Sequence, residues 1–183
     1  MNFKIKSQIN NYYLFANYLD NNTKKTIKKF KNFNIIYDRT VITNLKEIID
    51  LNRYCKKNKI KLFLINNYNL AIKLKCNGIL INSNNNKNYK HYKPSFEYIG
   101  LVHNQRELFF KRFQNFHQIM LSPLFYNFKY SKSRILETLK FNIITKNWKV
   151  PLIALGGISL LNFKKLKITR VTGIGFKKFI EQV

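Results

Sequence analysis

Pro151-Leu152-Ile153-Ala154-Leu155-Gly156-Gly157-Ile158, then Ser159 to Ile168, then Arg170-Val171-Thr172-Gly173-Ile174-Gly175-Phe176-Lys177-Lys178, decides the fold of this 183-residue chain. The first run reads as a buried strand that stops on a Gly pair. A basic amphipathic helix over 159–168, a second short strand and a Gly-x-Gly turn into a last helix follow. Glycines at the carboxyl end of a strand let backbone N–H groups approach a ligand with no Cβ in the way. A helix starting just after them favours phosphate. In (β/α)8 barrels the phosphate grip commonly lies after strands seven and eight, so this reading requires six more strands upstream.

Working back along the chain supplies them. Apolar runs fall at 12–17, 34–39, 61–66, 78–83, 97–102 and 118–125, the last ended by Pro123. Helical spacing fills most of the gaps. Asn21 and Asn22 cap a segment with Ile27 and Phe30 on one face. Leu45, Ile48, Ile49 and Cys55 form a stripe, Leu108 and Phe109 point inward from 104–113, and Ile135, Leu139 and Ile143 recur every four residues. Residues 84–94 (NNNKNYKHYKP) have no period and predict that the helix after strand four is short or missing. Alternating strands and helices imply parallel strands joined by crossovers. An open doubly wound sheet satisfies the alternation, but eight repeats and two late Gly turns favour a closed, compact (β/α)8 barrel spanning 1–183 as one domain.

Composition narrows the class. Apolar residues make up 45% of the chain, enough for a core, and 15% aromatic content argues against disorder. Lys and Arg number 34 against 8 Asp and Glu, a net charge of +26. Lys, Asn, Ile, Tyr and Phe are abundant together and the lysines are spread along the chain. Compositional drift toward AT-rich codons explains this better than a dedicated nucleic-acid surface, so nucleic acid is expected to bind only nonspecifically. Anionic substrates would still be attracted. Cys55 and Cys76 lack metal or redox spacing and read as buried free thiols on helices. With no leader-like N-terminus and no apolar run near 18 residues, a cytoplasmic protein without a membrane span is expected. A homo-oligomer is left open.

Placed at strand ends, the rim holds Arg39, Asn66, Asn67, Asn85, His103, Asn127, Lys129, Gly156, Gly157, Gly175, Lys177 and Lys178. It is basic and amide-rich, with Asp38 as its sole expected carboxylate. That suits a phosphorylated ligand and excludes glycoside hydrolysis by paired carboxyl groups. His103 has the residue type and position of a proton shuttle, against the alternative of a structural histidine.

Asn66-Asn67-Tyr68, Gly78-Ile79-Leu80-Ile81, Ile99-Gly100 with His103-Asn104, Ser122-Pro123-Leu124-Phe125 and Ile153-Ala154-Leu155-Gly156-Gly157-Ile158, in that order, resemble the thiamine phosphate synthase family and its TenI-like relatives. The resemblance runs from about strand two to the end. It implies Mg²⁺-assisted loss of diphosphate from a hydroxymethylpyrimidine diphosphate and capture of the pyrimidine cation by a thiazole phosphate. The partners would be those two small phosphorylated substrates. Arg39 matches a family Arg, although Tyr37 and Val41 replace a usual Gln and Lys. Asn66 matches an Asn facing the pyrimidine diphosphate. Asn67 and Asn85 fall where metal-binding Asp residues are expected, and Leu101 where a Ser is common. Asn127 and Lys129 are the nearest equivalents of a Thr-rich loop ending in Lys. Gly157 matches a phosphate-binding Gly, and Lys178 lies near a phosphate-contacting Ser. Amide oxygens are neutral, so Mg²⁺ would be held weakly. Three readings stay open: a divergent synthase in which lysines replace part of the metal's role, a metal-free TenI-like thiazole tautomerase, and a non-catalytic phosphate-ligand or RNA-binding barrel.

Overall fold

Eight short, strongly apolar runs cannot each bury both faces alone, and the chain solves this by closing them into one ring. The computed structural model describes residues 9–18, 20, 21, 24, 27, 32–38, 45–88, 95–126, 131–159 and 161–176. Within them β1 (Asn11–Ala16), β2 (Phe33–Tyr37), β3 (Lys61–Ile65), β4 (Gly78–Ile81), β5 (Glu97–Val102), β6 (Gln118–Leu121), β7 (Leu152–Leu155) and β8 (Val171–Phe176) form a closed parallel barrel in sequence order. β8 pairs with β1 through Asn11–Gly173 to Leu14–Phe176. Outside lie α1 (Leu45–Lys57), α2 (Tyr68–Lys73), α3 (Gln105–Lys111) and α4 (Glu137–Thr145), with short 3-10 segments at Arg112–Gln114, Lys132–Arg134 and Phe163–Ile168. Asn21, Lys24 and Ile27, between β1 and β2, are helical, and Ile27 is buried. No helix occurs among the described residues between β4 and β5, and 89–94 of the segment expected to lack one lie outside them. Among the described residues no helix is long and apolar enough to cross a membrane.

The barrel interior is solid. Strand alternation and register sort the inward side chains into three layers, drawn from odd and even strands in turn. The lower layer is Tyr13, Phe63, Ile99 and Ile153, and the middle one Ile36, Leu80 and Met120 with Gly175. The upper layer is Phe15, Ile65, Leu101 and Leu155. The middle layer shows why a Gly serves at 175. A Cβ there would stand 3.1 Å from Leu155 Cδ1 and 3.4 Å from Met120 Cε. Gly173 and Gly175 are therefore strand residues packed inside the barrel, and the Gly-x-Gly turn read from the sequence does not form there.

Other expectations are corrected by packing. The helix expected over 159–168 is a 3-10 segment beginning at Phe163. Asn162 accepts from Ser159 N and donates to the Gly157 carbonyl, which folds the preceding residues into a turn. β6 stops at Leu121, and 122–125 is a buried turn. On α3 Leu108 is buried, but Phe109 is 53% exposed and Lys111 takes the second inward position. On α4 Leu139 and Ile143 are exposed, while Phe141 and Thr145 are buried. That helix carries apolar residues all round, so spacing alone selects the wrong stripe. Leu45 and Ile49 are also exposed on α1, whose inward face is Ile48, Leu51, Asn52 and Cys55. Cys76 lies in the turn before β4 rather than on a helix. Both cysteines are buried free thiols, and burial pushes each up to about 12.

Candidate active site

The upper layer makes an apolar floor at the carboxyl ends of the strands, and the following loops build the rim above it. Asn66 sits at φ 52°, a left-handed conformation that Asn tolerates. Its N–H donates to the Leu80 carbonyl, and its Oδ1 accepts from Asn82 N (3.0 Å) and Asn85 Nδ2 (3.1 Å). Asn66 thus knots the end of β3 to the loop after β4. Asn67 is the N-cap of α2, with Oδ1 accepting from Leu70 N. Asn85 is held on every side. Its Oδ1 accepts from Lys87 N, and its carbonyl accepts from Lys111 Nζ (2.8 Å) and Gln114 Nε2 (3.1 Å).

Lys111 is the unusual group here. It is 2% exposed, its Nζ also donates to the Asn82 carbonyl at 2.9 Å, and the Phe116 ring lies 5.4 Å from the ammonium. Burial pulls its pKa down to about 8, and the negative charge of Glu107 partly opposes that. Lys111 and Gln114 together hold the loop after β4 by the carbonyls of Asn82, Asn85 and Lys87.

His103 closes β5. Its backbone N–H donates to Glu107 Oε2 at 2.7 Å, and its Nδ1 stands 3.1 Å from the same oxygen. Glu107 also accepts from Asn104 Nδ2, while Asn104 Oδ1 accepts from Glu107 N, a reciprocal cap that locks the carboxylate in place. A cleft of about 490 Å³ opens beside this pair, walled by Pro123, Leu136 and Ile144 and flanked by Arg134 and Lys140. The Glu107 contact engages Nδ1, and His103 and Glu107 both line the cleft.

The Gly156–Gly157 corner is built against the turn after β6. Leu124 N donates to the Leu155 carbonyl and Phe125 N to the Gly156 carbonyl. Gly156 has φ 88° and Gly157 φ 68°, both in the region that favours glycine. A Cβ on Gly156 would lie 2.9 Å from Pro123 Cα, and one on Gly157 would overlap the Phe125 carbonyl. Both glycines keep part of their surface open to solvent.

The rim residues thus fall into separate groups. Asn66 and Asn85 touch each other, Asn67 serves a helix cap, His103 faces the cleft with Glu107, and Gly156 and Gly157 meet the Ser122–Tyr126 turn. Gly175 faces the barrel interior. Arg39, Asn127, Lys129, Lys177 and Lys178 lie outside the described residues. Arg134, Lys140 and Lys111 escaped the sequence reading, since nothing in their spacing marks them. Glu107 had a signal: it is three residues after Asn104 and four after His103, the spacing of a reciprocal cap.

The donor set does not fit Mg²⁺. Asn67 and Asn85 offer neutral amide oxygens already engaged by backbone N–H groups, and the Lys111 ammonium sits beside the Asn85 carbonyl. Among the described residues no group of three His, Cys, Asp or Glu could hold a metal. The two sites should respond differently to a carboxylate. Asn67→Asp is expected to keep the cap and leave Tm unchanged. Asn85→Asp would set a carboxylate against Asn66 Oδ1 and cost about 1–3 kcal/mol, read as a lower urea midpoint. Equal midpoints for the two variants would remove the Asn66–Asn85 knot from this account.

A closed ring, a filled interior and a loop-built rim at the strand ends define a (β/α)8 barrel. Solved structures similar to this chain include thiamine phosphate pyrophosphorylase from Pyrococcus furiosus, at TM-score 0.72 and 13% identity over 93% of this chain and 86% of that one. The thiamine phosphate pyrophosphorylase from Bacteroides thetaiotaomicron is similar at TM-score 0.59 and 14% identity, over 96% and 90% of the two chains. The N-(5'-phosphoribosyl)anthranilate isomerase from Pyrococcus furiosus is similar at TM-score 0.61 and 15% identity, over 95% and 90%. All three neighbours are enzymes, and at these identities the likeness is one of fold. No protein-family model and no curated protein sequence matches the chain.

Proposed function

We propose that this barrel is a divergent enzyme of the thiamine phosphate synthase type, joining a hydroxymethylpyrimidine diphosphate to a thiazole phosphate. One observation carries the reading. The two most specific sequence segments, Ser122–Phe125 and Ile153–Ile158, interlock through backbone hydrogen bonds and the bare Cα atoms of Gly156 and Gly157. The apolar floor of Phe15, Ile65, Leu101 and Leu155 supports it, since a flat heteroaromatic ring can lie there with its phosphate toward a half-open Gly corner. In the reaction the C–O bond to the diphosphate breaks, and the thiazole nitrogen gives its electron pair to the methylene carbon. The leaving diphosphate gains charge that needs cations. Arg134 and Lys140 are the described cations lining the cleft beside His103. Purified protein given both precursors should form thiamine phosphate, with a rate that changes little on adding Mg²⁺. No product at stoichiometric enzyme counts against the proposal.

The His103–Glu107 pair favours a second reading, isomerisation of a thiazole carboxylate phosphate by proton transfer. Glu107 orients the imidazole, and Nε2 moves the proton. His103→Asn is expected to reduce solvent-deuterium exchange into that substrate by about 10²–10⁴-fold. Unchanged exchange takes His103 out of the chemistry.

A further inference from the structure

α3, the 3-10 segment after it and α4 leave several large apolar side chains exposed. Phe109, Phe110 and Phe113 are each more than half exposed and touch as a cluster, Phe109 packing edge-on against Phe110 at 6.0 Å and Phe113 at 5.8 Å. Across the cleft, Leu139 is 74% and Ile143 65% exposed. Asn142 of the same helix donates to the carbonyl of Ile168, which sets that exposed residue beside α4. The two helices both line one cleft, so the phenylalanine cluster and the exposed Leu139 and Ile143 belong to neighbouring elements. Exposed Arg106, Arg112, Arg134, Lys140 and Lys146 lie on or next to these elements, against Glu107 and Glu137 as the acids of the two helices.

We propose that this flank docks on an anionic lipid surface. A second copy of the chain is disfavoured, because it would bring +26 against +26. Single-stranded nucleic acid would use the phenylalanines for stacking but leaves Leu139, Ile143 and Ile168 without a role. A bilayer interface takes Phe, Leu and Ile into its acyl boundary and pairs Lys and Arg with its headgroups. No spanning segment is needed for this.

The test is sedimentation of the full chain with phosphatidylcholine vesicles, with and without phosphatidylglycerol. Phosphatidylglycerol is expected to raise binding at least about tenfold, and high salt to reverse that gain. The combined variant Phe110→Ser, Phe113→Ser, Leu139→Ser, Ile143→Ser should bind at least about tenfold more weakly. Leu45→Ser with Ile72→Ser, on α1 and α2, should bind as the parent does. These are exposed positions, so circular dichroism should show intact folds. Should the fourfold variant misfold, Arg106→Gln with Lys140→Gln must still lower binding to the anionic vesicles. The proposal is overturned by parent-like vesicle binding of the fourfold variant. It is equally overturned if the parent ignores anionic vesicles while the same substitutions abolish a solution dimer or single-stranded RNA binding.

Discussion

Gly157→Ala is expected to lower Tm by about 10 °C. The residue sits at φ 68°, and a Cβ there would overlap the Phe125 carbonyl, which belongs to backbone and has no rotamer to retreat into. A left-handed conformation costs a residue with a Cβ about 1–2 kcal/mol. Overpacking adds about 1–3 kcal/mol. A loss of roughly 2–5 kcal/mol is a large share of the ordinary 5–15 kcal/mol of a domain. For a chain of this size each kcal/mol shifts Tm by about 2–4 °C. Gly156→Ala meets Pro123 Cα at 2.9 Å, Pro123 Cβ at 3.0 Å and Ser122 Oγ at 3.2 Å, looser contacts than at Gly157, and should cost less. If Gly157 served a phosphate and nothing else, Gly157→Ala would keep its Tm and lose only ligand affinity. Differential scanning calorimetry of the two variants separates those outcomes.

Lys111→Met is expected to erase a rise in stability with pH. The folded value of about 8 lies below the ordinary 10.5, because burial disfavours the ammonium. Between those two values the unfolded chain holds more protons than the folded one, so unfolding free energy increases with pH. The contribution is complete above the unfolded value and is lost as pH falls through about 8. Across that window it amounts to about 3 kcal/mol. Other groups titrate there too, but they are common to parent and variant, so the difference in urea midpoints isolates Lys111. The variant also removes the Lys111 hydrogen bonds to the Asn82 and Asn85 carbonyls, and amide exchange over 82–88 should quicken. Parallel pH curves for parent and variant would refute the buried-cation account.

These two residues mark the division between chain and fold. Gly157 was legible as a special position because an apolar run leads straight into a Gly pair. What it is special for was not legible: its bare Cα meets the Phe125 carbonyl, 32 residues earlier by number and on another strand's turn. Lys111 carried no signal at all. One lysine among so many reads as a solvated face, and only the carbonyls of the loop after β4 turn it into an anchor. Asn67 and Asn85 read as degraded metal ligands, and the structure has both amides at work as a cap and a knot.

Local pattern by itself determined the class. Eight short β-branched and aromatic runs with helical spacing between them imply parallel strands and crossover helices. Period-2 and period-3.6 patterns depend only on neighbours along the chain, so they survive in sequence. Tertiary structure alone decided which of two apolar stripes on α4 faces inward, that Gly173 and Gly175 lie inside the ring, and which rim side chains meet. Those outcomes depend on the volumes of side chains that come together from distant strands, such as Met120 and Leu155 against Gly175, and no local period records a volume.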